Sequence, residues 1–301
     1  MKYTRLGTIS APTVVLGCMR IADRPISQID CLIHTALECG ITMFDHADIY
    51  GKGRSEALFG EILKVQPGLR DGMILQSKCG IRPGSYDFTR EHILTSAEQS
   101  LRRLNTDHLD LLLFHRPDAL AEQEEFARAV RELKDSGKVL QFGVSNMNPA
   151  QITLLESWSG EPLVADQMQL SLMHADLVTS GMNVNTGNDQ DSGSTLLPWC
   201  RRTGRTLQAW SPLQYGMFKG CFVGNEKFSE LNTALDRLAP EYGVTPGALA
   251  LAWILRIPGS IQVILGAADP GHVRGAAAAA HVDLSRQHWY ELYRAAGGYL
   301  P

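Results

Sequence analysis

The feature that most constrains this chain is a repeat of kind rather than of sequence: eight short apolar runs, separated by segments of helical spacing. They are Val14–Gly17, Ile41–Asp45, Met73–Lys78, Leu109–His115, Val139–Val144, Leu163–Gln167, Thr206–Trp210 and Ile261–Leu265. Runs that are apolar throughout are buried on both faces, which implies parallel pairing with helices covering each side. Eight such strand–helix units close most naturally into an α/β (β/α)8 TIM barrel. Turn signals at Gly7 and Pro12 place a small hairpin before the first core strand. A helix from Ser285, stopping at Gly297-Gly298, ends the chain. Barrels of 301 residues are routinely one domain, so residues 1–301 are read as a single unit.

The connecting segments carry their own start and stop signals. Ser27 is expected to cap a helix with Ile29, Leu32, Ile33, Ala36 and Leu37 on its buried face. Thr89 caps the next long one, Asn148-Pro149 opens another, and Thr245-Pro246 a further one. The polar stretch Ser180–Ser194 is too long for an ordinary barrel turn. It reads equally as an active-site flap or as a surface insertion.

Composition narrows the functional classes. A hydrophobic content of 44% and a net charge of −4 describe an ordinary globular protein with no nucleic-acid footprint. The six cysteines show no C-x-x-C spacing, which fits reduced thiols and a cytoplasmic location. No run approaches the roughly 20 apolar residues of a membrane span, so no membrane partner is expected. Oligomeric state is not legible.

What stands at the strand ends carries the chemistry: Asp45, Lys78, His115, Ser145-Asn146, Gln167, Trp210-Ser211 and Gly266. In a closed barrel all of these meet at one mouth, where barrel enzymes keep their sites. Taken singly, Asp45 is readable as a cap, Lys78 as a solvated strand end and His115 as a core imidazole. Together with Tyr50, five residues beyond Asp45, they make a mundane account improbable. A free phenol has a pKa near 10, too high for proton transfer at neutral pH. A cation about 4 Å away is worth roughly 4 kcal/mol at an effective dielectric near 20, so Lys78 is expected to lower it. Asp45 would orient the ammonium and offset part of that pull, while His115 aims a hydrogen bond at an acceptor oxygen. A tuned phenol beside an oriented carbonyl calls for a hydride source.

In order and placement, Asp45, Tyr50, Lys78 and His115 resemble the catalytic tetrad of the aldo-keto reductase superfamily. Gly40–Gly51, Leu109–Asp118, Gly137–Asn146 and Ala209–Leu213 extend the resemblance over nearly the whole chain. Ser77–Ile81 and His115–Asp118 resemble a bacterial oxidoreductase branch. The resemblance implies an NADP(H)-dependent carbonyl reductase, with NAD(H) possible, acting on a small aldehyde or ketone. It casts Tyr50 as general acid, Lys78 and Asp45 as its tuners, and His115 as the carbonyl-orienting group. It further implies that Ser145, Asn146 and Gln167 hold the nicotinamide carboxamide, that Trp210 stacks on its ring, and that Ser211 and Leu213 meet the pyrophosphate. Met19 and Arg20 are weaker candidates beside the same cofactor. At the adenosine end the chain departs from relatives that prefer NADPH, which often carry a basic residue after strand eight, then an Arg and a Glu-Asn pair: those positions here read Gly266, His272, Gly275 and Ala276. Gly266, Ala267, His272 and Arg274 are the cofactor candidates at this end, Arg274 as a substitute phosphate ligand.

No G-x-G-x-x-G follows a strand, because Glu56 stands where the third glycine would fall. Two other classes are chemically open. Asp45, His46, Asp48 and His115 are chemically acceptable ligands for a metal-dependent barrel hydrolase, a reading that leaves Lys78 and Tyr50 idle; no metal is expected. A non-catalytic subunit that binds nicotinamide and senses redox state is the other.

Overall fold

The computed structural model describes residues 1–184 and 196–300. Eight parallel strands close into a barrel: β1 (Val14–Gly17), β2 (Met43–Asp45), β3 (Ile74–Cys79), β4 (Leu109–Phe114), β5 (Val139–Ser145), β6 (Leu163–Gln169), β7 (Thr206–Trp210) and β8 (Ile261–Leu265). Each pairs with its successor, and β8 returns to β1 through Val263 opposite Val14. The register sets the polar strand ends level with one another. Asp45 lies opposite Gly17 and Gln76, and Gln167 opposite Ser145 and Gln208.

Strand side chains alternate, so every second residue faces the barrel axis. Val15, Met43, Leu111, Leu113, Ala165 and Ile264 fill the lower interior with Leu6 of the hairpin. The alternate set, including Phe44, Leu75, Leu112, Phe114, Phe142 and Val263, packs outward in the larger core that the helices share. Gly143 shows how tight the closure is, because a Cβ there would lie 2.6 Å from the Leu113 side chain and 2.8 Å from the Ala165 carbonyl oxygen.

The hairpin Tyr3–Leu6 with Ile9–Pro12 stoppers the end opposite the site. Thr206 Oγ1 donates to the Arg5 carbonyl at 2.6 Å, and the Thr8 N–H to Gln141 Oε1 at 2.9 Å. The terminal helix Arg286–Ala295 is capped by Ser285. Thr89, Asn148 and Thr245 also cap as expected, Asn148 in a reciprocal box with Gln151.

The first helix differs. It runs Ile26–Glu38 behind Pro25 with no side-chain cap, so Ser27 lies inside its first turn. Helices Asp176–Met182, Ser229–Leu238 and Pro270–Ala277, and the short pair Ile81–Arg82 with Ser85–Tyr86, are additions to the sequence reading. Of the polar stretch Ser180–Ser194, Ser180–Met182 finish a helix, while residues 185–194 lie outside the described residues. All six cysteines are free thiols. Among the described residues no helix is long and apolar enough to cross a membrane.

Candidate active site

Asp45 is the last residue of β2, and Lys78 stands near the end of β3, both on the inward parity. Beyond Asp45 the chain folds back sharply. Gly51 and Gly53 adopt φ of +57° and +87°, and a Cβ on Gly51 would sit 2.4 Å from that of Ala22. This turn carries Tyr50 back over the mouth, and Ser55 Oγ pins it by donating to the Cys18 carbonyl at 2.6 Å.

The three groups then meet. Lys78 Nζ donates to Asp45 Oδ1 at 2.7 Å, to the His46 carbonyl at 2.7 Å and to the Tyr50 hydroxyl oxygen at 3.1 Å. An ammonium has three protons, and all are used. Because the phenol oxygen accepts from Lys78, its own proton is left to donate elsewhere. His115, one residue past β4, faces Tyr50 edge-on with ring centroids 6.2 Å apart. Its Nδ1 is buried without a partner, which leaves Nε2 as the nitrogen for an incoming acceptor.

Burial dominates the electrostatics. It pushes the Tyr50 phenol above its usual value near 10, against the pull of the Lys78 ammonium, while the Asp45 charge pushes the same way as burial. The expected net lowering of Tyr50 is therefore not found: its desolvation outweighs the cation. For Lys78, burial works against the charge, but Asp45 and then Tyr50 outweigh it and hold the ammonium above its usual value. Burial, then the neighbouring charges of Lys78 and Arg116, depress His115 well below the usual histidine range, so it is neutral at pH 7.

The residues assigned to cofactor line the same rim. Ser145 Oγ donates to the Gln167 carbonyl at 2.8 Å, Asn146 Nδ2 to Ser145 Oγ at 2.7 Å, and Trp210 Nε1 to Asn146 Oδ1 at 3.3 Å. Asn146 and Ser211 adopt left-handed φ of +59° and +50° where β5 and β7 end, which turns the chain sharply at the mouth. Leu213 follows, in a turn closed by the Gln214 N–H to the Ser211 carbonyl at 3.0 Å. Met19 and Arg20 are exposed after β1, and a Cβ on Gly266 would lie 4.0 Å from the Arg20 guanidinium carbon. Ala267 adjoins it.

His272 and Arg274 stand on the helix that follows β8. The His272 side chain is exposed on Pro270–Ala277, whose start is capped by Asp269, and Arg274 pairs with Glu38 at 3.1 Å. Glu38 ends a helix that begins at the mouth, so Arg274 reaches down the barrel's flank and away from the rim.

The alternative metal set is not assembled. Asp45 points into the barrel, whereas the His46 ring packs outward against Phe59, with centroids 4.7 Å apart and neither nitrogen bonded. Burial, then Lys78, lowers His46 to about 3. Asp48 is raised to about 6 by burial and by nearby Glu56. Among the described residues no cluster of His, Cys, Asp or Glu is arranged to hold a metal ion.

Sequence reasoning overlooked the supports of this site. Glu56 is fully buried and accepts from Ser77 Oγ at 2.5 Å, Ser100 Oγ at 3.2 Å and Arg103 Nε at 2.8 Å. Gln76, Gln208 and Gln262 are buried inside the barrel. Parity was the available signal: if Lys78 points inward, Gln76 does too.

The family model described as aldo/keto reductase matches residues 13–296. The chain belongs to the aldo/keto reductase family. A 6-dehydroglucose reductase of Agrobacterium fabrum is 39% identical to this aldo-keto reductase, over 95% of this chain and 94% of its own. Oxidoreductase YdhF of Escherichia coli is 38% identical over 95% and 93%. Among solved structures, an aldo-keto reductase from Klebsiella pneumoniae in complex with NADPH superposes with a TM-score of 0.78, at 28% identity over 97% of this chain and 94% of that one. Family and barrel agree with the sequence reading, and the chain is an oxidoreductase of this family.

Proposed function

We propose that this aldo-keto reductase reduces the carbonyl of a small polyhydroxylated aldehyde to an alcohol, with a reduced nicotinamide dinucleotide as co-substrate and Tyr50 as general acid. The observation that carries the reading is the bond from Lys78 Nζ to the Tyr50 hydroxyl oxygen beside neutral His115. The substrate class rests on two relatives named 6-dehydroglucose reductase, 39% and 34% identical to this chain. The free thiols suit a reducing, cytoplasmic setting.

The rim fits a nicotinamide dinucleotide. Both amide protons of Gln167 point inward, to Asp45 and to Gln208, so its Oε1 is the end available to a carboxamide N–H. Ser145 and Asn146 add polar groups alongside, the Trp210 indole is anchored to Asn146, and Ser211 and Leu213 would meet the pyrophosphate. When bound, the dinucleotide supplies the hydride. His115 Nε2 hydrogen-bonds the substrate oxygen and Tyr50 gives that oxygen its proton as negative charge develops. The Lys78 ammonium, already donating to the phenol oxygen, stabilises the phenolate left behind. Bulk water then restores the phenol. For the adenosine phosphate, Arg20 beside Gly266 is the residue of choice. With one arginine and an acidic cap at Asp269 on the next helix, the reading favours NADPH only modestly over NADH.

The test is to titrate the purified protein with NADPH and NADH and then assay an aldehyde and ketone panel that includes the C6 aldehyde of glucose. Metal-independent consumption of reduced nicotinamide, fastest with the sugar aldehyde, is expected. Dinucleotide binding without turnover across the panel would overturn the enzyme reading in favour of a redox-sensing subunit.

A further inference from the structure

Four glutamines stand inside the barrel below the mouth. Gln76, Gln208 and Gln262 are inaccessible to solvent and Gln167 is 3% exposed. Their amides connect in a defined direction. Gln167 Nε2 donates to Asp45 Oδ1 and to Gln208 Oε1, both at 3.0 Å. Gln208 Nε2 donates to Gln76 Oε1 at 2.8 Å, and Gln76 Nε2 donates to Asp45 Oδ1, closing a ring. A branch leads away from it: Gln208 Nε2 also donates to Gln262 Oε1 at 3.0 Å, and Gln262 Nε2 to the Pro12 carbonyl at 2.7 Å.

We propose that Gln76 and Gln208 are positioning residues of the reaction, which with Gln167 form a hydrogen-bonded ring that holds Asp45 Oδ1 against Lys78. A buried amide is costly wherever it is left unsatisfied, so a barrel interior is filled more simply with aliphatic side chains. The ring has a different use. Both of its donor paths, from Gln208 through Gln76 and from Gln167 directly, end on the one carboxylate oxygen that Lys78 also uses. Hydrogen bonds in series polarise one another and strengthen the last donor. Three donors on one oxygen fix the rotation of the carboxyl plane, and the amides add no charge to compete with Lys78. With Asp45 held, the two other ammonium protons fall on the His46 carbonyl and the Tyr50 hydroxyl. Without the ring the carboxylate can swing, and the 3.1 Å bond to Tyr50 loosens.

The proposal rests on the reductase reading, and its test separates the two. In Gln76→Glu, a protonated carboxyl donates to Asp45 as the amide did, whereas an ionised one cannot and repels it. Expected is a kcat near the parent's at acid pH that falls about tenfold or more as the new group ionises, with dinucleotide affinity unchanged. Gln262→Leu, at the far end of the branch, should keep the parent's pH profile even where it lowers stability. A Gln76→Glu profile superimposable on the parent's, or the same pH-dependent loss in Gln262→Leu, overturns the proposal. If the parent turns over no carbonyl, the reductase reading fails and thermal unfolding decides the ring. The melting penalty of Gln76→Glu must then grow with pH, because a buried carboxyl with a raised pKa stabilises only while protonated; a flat penalty overturns it.

Discussion

Tyr50 is held protonated at neutral pH. Its phenol lies above its usual range, so reduction should keep its rate through neutral pH and oxidation of alcohols should improve toward alkaline pH. His115 is depressed, so reduction should not fall at the ordinary histidine midpoint near 6.5. An acid limb there in kcat would contradict a neutral imidazole. Tyr50→Phe should cut reduction by roughly 10²–10⁴ while dinucleotide titration stays near the parent's. At the adenosine end, Arg20→Ala should raise KM for NADPH about tenfold and leave NADH alone, the loss of one charge-assisted contact. Arg274→Ala should change neither, since that side chain is paired with Glu38. The opposite ranking would put the phosphate on the flank. Arg20 and Arg274 came from the family resemblance, whereas His115 was legible because a polar group ends an apolar run there, and Tyr50 because it follows Asp45 closely. The direction of the Tyr50 shift was not, because it depends on burial that closure alone creates.

The helix Arg54–Val65 follows the Tyr50 turn and packs on the barrel through Phe59, Ile62 and Leu63, with a buried ionic contact beside them. Glu56 is wholly buried, and Arg103 of Arg90–Leu104 meets it at 2.7 Å while Ser77, next to Lys78, donates from β3. Arg103→Ala strands that carboxylate, a change that typically costs about 3–5 kcal/mol. A depressed melting temperature with a lower kcat is expected, since the same contact steadies the strand bearing Lys78. Unchanged melting would show Glu56 to be satisfied by its serines. Caps at Thr89, Asn148, Thr245 and Ser285 were readable because a cap is a contact within four residues. Ser229–Leu238 and Pro270–Ala277 were not read from the sequence, although Leu231, Ala234, Leu235 and Leu238 lie buried at helical spacing along the first of them.

Across the molecule, buried ionisable groups facing outward from the strand ends set the pH dependence of stability. His46 is lowered to about 3, so its contribution is complete above 6.5 and lost as pH falls toward 3, on the order of 5 kcal/mol in all. Asp166 on β6 is raised to about 8 by burial, so its contribution is complete below 3.8 and lost as pH rises toward 8. Stability should therefore peak in mildly acid solution. Asp166→Asn should melt progressively higher than the parent between about pH 5 and about pH 8, and a constant difference would refute the assignment. The amino-acid sequence by itself determined the strand count, the barrel and which polar groups stand at the strand ends, because hydrophobic period and chain order are local properties; the family followed from the resemblance of its motifs. Only the tertiary structure decided which buried groups pair and which way burial moves their protons. Gln76 and Gln208 are 132 residues apart along the chain and meet only because the barrel closes and excludes water around them.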